Sequence, residues 1–232
     1  MEPQNTPENA RDLVLEAALL HVPFDGWSET TLRAAIADSG VAEGLARALF
    51  PRGGIDLAVA FHKRGDQRMA ETLAATDLSQ MRFRDRVTFA VRTRLEGIED
   101  RELVRRGTTL FALPQHAAEG AKLIWGTADA IWNALGDTSR DVNWYTKRAT
   151  LSAVYGSTVL YWLGDDSLGH QGTWDFLDRR IGDVMQIETI KAKVRENPLG
   201  KALLAGPAKV MEKWRAPTVP DDLPGRFRNP FR

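Results

Sequence analysis

Apolar residues recur three or four positions apart along nearly the whole 232-residue chain, and that period fits little besides α-helices. Thr6, Pro7 and Glu8 give the order of cap, first-turn proline and early acid that opens a helix. Leu13, Ala17, Leu20 and Phe24 then share one face, which Leu15 and Leu19 broaden. A break at 24–27 leads to Ser28, placed to cap a short helix through Ala37; Thr31 stands where a capping box would need Glu. Asp38, Ser39 and Gly40 make a tight turn into a second short helix over 41–50, stopped by Pro51, Gly53 and Gly54. Further helices are predicted over 55–76, 83–99, 101–112, 117–135, 143–164 and 173–196. No stretch alternates between hairpin turns, and no internal repeat recurs, so the fold class is all-α with about nine helices.

Residues 151–163 carry no charge, but spanning a bilayer takes roughly 20 apolar residues. The run reads as a core helix in which Gly156 permits close approach by a neighbour. With 43% hydrophobic residues the chain can bury a core, which excludes wholesale disorder. The 31 Lys and Arg balance 31 Asp and Glu, so a surface coated in cations is excluded unless charge is segregated. Cysteine is absent, which removes disulfides, thiolate metal sites and a Cys nucleophile. The first dozen residues show neither a basic nor an apolar leader segment, so the expected compartment is the cytoplasm.

Enzyme motifs are missing: there is no nucleophile elbow, dinucleotide fingerprint or Walker loop. His21, His62, His116 and His170 are scattered, and the Glu-x-x-His pair of a helical di-iron site does not occur. His116 and Glu119 have the reverse order and read as a solvated helix start. Gly53 and Gly54 suit either a phosphate cradle or a plain turn. Asp165, Asp166 and Asp178 suit paired carboxylates or helix ends with surface ion pairs. The expectation is a non-enzyme with no cofactor and no metal.

Residues 31–50 have the layout of a helix-turn-helix: Leu32, Ala35 and Ile36 face inward, Gly40 turns, and Val41, Leu45 and Phe50 anchor the second helix. This resembles the DNA-binding end of TetR-type repressors. The second helix, however, offers one cation, Arg47, and places Ala42, Glu43 and Leu45 where that family carries phosphate contacts. Residues 1–55 hold four arginines against eight carboxylates, a net −4 that repels a phosphate backbone. The motif is expected to be a retained packing unit that binds no nucleic acid.

The other end is opposite in sign. Between 191 and 215 seven cations face two acids, a net +5. Leu199, Ala202, Leu203, Val210, Met211 and Trp214 form one helical stripe, with Lys201, Lys209 and Lys213 off it. Such a helix suits an anionic membrane interface or docking on the body, and Gly206-Pro207 would kink it. Residues 215–232 read as an extended tail. The organisation predicted is 1–55 for the first helix and degenerate motif, 56–196 for a lipid-binding and dimerisation body, and 197–214 for a membrane helix.

Residues 144–163 and 165–181, with the block Trp174, Phe176, Leu177, Arg180 and Ile181, resemble the ninth coenzyme Q biosynthesis protein family. Pro114-Gln-His-Ala before a Trp-containing helix also matches that family's layout. The resemblance implies a TetR-like fold without DNA binding, usually dimeric, with lipid in the cavity where repressors hold their inducer. It implies presentation of a polyprenyl quinone intermediate to the di-iron demethoxyubiquinone hydroxylase. It further implies a last helix on the membrane and a hydroxylase-binding patch around the block's Trp, here Trp174 with Leu177 and Asp178. Without a transit peptide, it implies a bacterial member, peripheral on the inner face of the cytoplasmic membrane.

A polyprenyl tail or phospholipid chain needs a long apolar slot. Phe111, Leu113, Ile124, Trp125, Ile131, Trp132, Leu151, Tyr155, Val159 and Trp162 are the candidates to line it, or simply to fill the core. Trp174 is expected in a first helical turn beside Asp175, Asp178 and Arg179, on an exposed rim or packed on the preceding helix. The competing reading is a TetR-type regulator sensing an apolar ligand, which the acidic motif argues against.

Overall fold

Thr6 opens the first helix as its sequence predicts, its hydroxyl accepting the Asn9 N–H at 3.3 Å. The computed structural model describes residues 6–196, with side chains through residue 186. Those residues form nine α-helices and no strand: α1 (Pro7–Asp25), α2 (Glu29–Ser39), α3 (Glu43–Leu49), α4 (Gly54–Ala75), α5 (Phe83–Glu96), α6 (Arg101–Ala112), α7 (Ala117–Ala134), α8 (Val142–Leu163) and α9 (Gln171–Glu196). A short 3-10 turn, Leu168–His170, precedes α9. Among the described residues no helix is long and apolar enough to cross a membrane. The membrane residues Leu199, Lys201, Leu203, Lys209, Val210, Met211, Lys213 and Trp214, and the tail, lie outside the described residues.

Two apolar cores organise the chain. The first gathers Val14, Leu15, Ala18, Leu32, Ala35 and Ala46 from the three N-terminal helices and Phe50 from the end of α3. It also takes Leu57 and Ala58 of α4 and Leu103 of α6, so its packing runs past residue 55. Arg11 lies over the Phe50 ring at 4.8 Å and donates to the Leu49 carbonyl, satisfying an orphan acceptor at the end of α3. Gly54 starts α4 directly against the main chain of α1–α2. A Cβ there would lie 2.3 Å from the Trp27 carbonyl, so Gly54 serves close approach, while Gly53 takes the positive φ of the turn, +64°.

The second core gathers Met69, Val91, Leu95, Ala128, Ile131, Leu151, Trp162 and Leu177 from the body helices. Arg148 is buried at the α7–α8 contact, where Asp129, Asp137 and Asn133 accept its hydrogen bonds and the Trp144 ring covers it at 4.0 Å. Burial alone would raise the Asp137 carboxyl, but hydrogen bonds from Lys147, Ser139 and Arg148 outweigh that and hold it at about 2. Asp165 joins α8 to α9: it accepts from the Thr173 N–H and hydroxyl at 2.8 and 2.6 Å and from the Ser167 N–H at 2.9 Å. Those bonds hold its carboxyl well below the usual range, and they explain Asp165 as a structural cap.

Candidate functional site: an apolar cavity with a polar floor

Helices α4 to α8 and Trp27 of the α1–α2 junction enclose a cavity of about 430 Å³. Its position follows from small residues: Ala58, Gly107, Gly120 and Gly156 line it, and they leave room that larger side chains would take. Phe61, Phe111, Ile124, Tyr155 and Val159 supply most of the larger apolar wall. Trp27 is fixed there by packing against the Phe61 ring, tilted at 36° with centroids 5.3 Å apart, and by donating its indole N–H to the Leu103 carbonyl at 3.0 Å. Ala112, Ala117, Ala121 and Leu160 line the cavity and are also solvent-exposed, so they mark its mouth. Volume and lining fall within the range of sites that take apolar ligands.

One wall is polar. Arg94 donates its Nε–H to Asp66 at 2.7 Å and an Nη2–H to the His62 carbonyl at 3.0 Å. Thr127 Oγ1 sits 2.9 Å from Asp66 and 2.8 Å from His62 Nε2, and it exchanges a hydrogen bond with Tyr155. Burial drives the His62 pKa down to about 4, against the pull of Asp66, so the imidazole is neutral at pH 7. Burial also opposes the Arg94 charge, but Tyr155 and Asp66 outweigh it and its pKa lies above the ordinary value. Burial raises the Tyr155 pKa, keeping the phenol protonated. The floor is therefore one neutralised ion pair, a neutral imidazole and a phenol, tied together through the Thr127 hydroxyl. Among the described residues no cluster of His, Asp and Glu has the arrangement of a metal site.

Of the ten residues expected to form the slot, the structure brings four together at this cavity: Phe111, Ile124, Tyr155 and Val159. The others lie elsewhere. Ile131 and Trp162 fill the body core, Leu113 is exposed at the α6–α7 turn, and Trp125 packs against Trp144 at 6.0 Å. Trp132 and Leu151 line a separate cavity. Helical period alone selects a buried face and cannot tell which buried residues border empty space. Trp27, Phe61, His62 and Arg94 are not marked by the sequence because they come from three other helices or junctions; His62 reads there only as one of four scattered histidines.

The expected exposed rim at Trp174 is corrected. Trp174 is buried, its indole N–H donates to the Gly169 carbonyl at 2.8 Å, and Arg92 lies over its ring at 4.6 Å. Leu177 is fully buried in the body core, whereas Asp178 is exposed and accepts from the Thr88 hydroxyl. The first turn of α9 is covered because Thr173, Trp174 and Leu177 share the face that meets α5 and α8. The outward side of the same block instead shows Phe176 stacked on Tyr161 at 4.7 Å.

At the helix-turn-helix, Arg47 is held by Glu29 and Glu43, both at 2.9 Å. The cation of the second motif helix is thus neutralised by its own neighbours. Glu119, weighed with His116, accepts both Arg52 Nη groups at 2.9 Å and ties the α3–α4 turn to α7.

A family model described as COQ9 matches residues 117–188. The mitochondrial ubiquinone biosynthesis protein COQ9 of Rattus norvegicus is 32% identical over 216 residues, which cover 88% of this chain and 67% of the relative. The Homo sapiens protein of the same name is 32% identical over 216 residues, covering 88% of this chain and 66% of its own length. The Drosophila melanogaster protein is 33% identical over 183 residues, or 77% of this chain, and only 56% of that relative is spanned. Among solved structures, a TetR transcriptional regulator from Nitrosomonas europaea superposes with a TM-score of 0.61 at 19% identity, over 75% of this chain and 97% of that one. The all-α fold is TetR-like.

Proposed function

The chain belongs to the COQ9 family, and from that premise we propose that it serves ubiquinone biosynthesis as a non-catalytic, lipid-binding accessory protein. In this reading the polyprenyl tail of a quinone intermediate, or a phospholipid chain, enters through the Ala112–Ala117–Ala121–Leu160 mouth and lies against Phe111, Ile124, Tyr155 and Val159. The polar floor of His62, Arg94 and Tyr155 ends the apolar path. With the tail inside, the ring stays near the mouth, within reach of a second protein. The Tyr161–Phe176 stack, on the α8 side of the α9 block, is the face proposed for the demethoxyubiquinone hydroxylase, with exposed Asp178 on the α5 side of the same block at its edge. Two copies of the chain are proposed to act together, at an anionic membrane surface contacted by the 199–214 stripe.

The observation that carries this reading is the cavity of about 430 Å³ with its apolar mouth. A role as DNA-binding regulator draws no support from the motif, where Arg47 is committed to two carboxylates. The test is mass spectrometry of lipid co-purified with the full chain and with Ala121→Trp, which plugs the mouth from an exposed position. Wild type should carry stoichiometric polyprenyl or acyl lipid and Ala121→Trp should lose it while keeping its helical spectrum. Equal lipid in both, or none in wild type after expression in cells making ubiquinone, would overturn the reading.

A further inference from the structure

A second cavity, of about 270 Å³, lies across α8 from the first and between α5 and α9. Leu151 borders the second cavity and Leu160 the first; nine residues apart on one helix, they point to opposite sides. The partition is α8 itself, so the two spaces are independent. Val87, Leu151, Val154 and Ile181 make a buried apolar base for the second one. Phe83, 45% exposed, stacks on Trp132 at 5.5 Å and forms an aromatic lip, continued by exposed Met185.

Among the described residues Arg84 and Lys147 line the cavity, and no carboxylate does. The Lys147 charge is met by Asp137 at 2.7 Å. Arg84 differs: it donates one N–H to the Asp178 main-chain carbonyl at 2.9 Å, and among the described residues no carboxylate lies within ion-pair distance of it. An apolar base beneath an uncompensated, multi-donor cation matches a hydrocarbon chain that ends in an anion.

We propose that this cavity binds a single-chain anionic amphiphile, a long-chain fatty acid, with its carboxylate on Arg84 and its chain over Val87, Leu151, Val154 and Ile181. The site is separate from the quinone-tail cavity and does not depend on it. The probe is cis-parinaric acid, titrated by fluorescence against the full chain in parallel with its methyl ester. Ala121→Trp, plugging only the first cavity, should still bind one equivalent of the acid. Arg84→Gln in that background should weaken the acid about 5-fold and leave the ester nearly unchanged, with the difference shrinking at high salt. Thr150→Trp, which fills the second cavity from a half-exposed position, should abolish the remaining equivalent; should that variant misfold, the exposed Arg84→Gln comparison decides alone. Loss of all binding in Ala121→Trp, or equal weakening of acid and ester by Arg84→Gln, would overturn the proposal.

Discussion

Arg94 and Asp66 form an ion pair at 2.7 Å with their side chains 3% and 14% exposed, at the floor of the main cavity. The residues stand 28 positions apart, on α5 and α4. Two charges this far from water are stable only together, because each alone would keep its desolvation cost without the partner's attraction. Asp66→Ala should therefore destabilise the protein by about 3–5 kcal/mol. Replacing both residues with Leu should cost far less than either single change. Chemical denaturation of the three variants measures the difference.

His62 gives the stability a pH dependence of defined sign. Its pKa falls from 6.5 to about 4 on folding, so the native state binds fewer protons than the unfolded chain between those values. This contribution is fully present above pH 6.5 and is lost as pH falls toward 4, on the order of 3 kcal/mol at most. Unfolding free energies at pH 7, 6 and 5 should drop in wild type, and the slope should be shallower in His62→Gln. Parallel slopes would show that His62 titrates equally in both states.

Trp174 is a core residue with a functional-looking sequence. Trp174→Ala should cost about 3–5 kcal/mol, the range for removing a buried aromatic ring. Loss of hydroxylase binding in Trp174 variants would then follow from altered folding, visible as a lowered melting temperature. Tyr161→Lys, on the exposed stack, should weaken that association with little change in melting.

Gly54 allows α4 to start against the Trp27–Ser28 peptide. Gly54→Ala should destabilise by about 1–3 kcal/mol, since the clash is with main chain that cannot rotate away. Gly44→Ala, with open space around it and an exposed position, should be neutral or slightly stabilising. Thermal melts of the two variants make the comparison.

The motif of residues 31–50 should not hold DNA, because Arg47 is bound by Glu29 and Glu43 within a net acidic segment. Filter binding at low salt should show no retention for wild type. Retention that falls steeply with added salt would contradict this, and Glu29→Gln with Glu43→Gln measures how far the carboxylates suppress it.

Much of the helical layout was legible from local chemistry. The caps Thr6 and Ser28 act where they were expected, and α6 spans residues 101–112 as predicted. Other ends moved by a few residues; α5 stops at Glu96 because Gly97 follows it. Side-chain period and capping act within four residues, so the amino-acid order determined them without help.

What the order of residues could not decide was which apolar side chains face each other and which face a void. Phe111 and Tyr155 meet at one cavity, Trp132 and Leu151 at another, and Trp162 at neither, although all read alike as buried positions on helices. Trp27 reaches Leu103 across 76 residues, and Arg94 finds Asp66 only when α4 and α5 pack. Burial is a local tendency of a residue. The shape of the space left behind depends on all the packed helices together, so only the tertiary structure fixed the site.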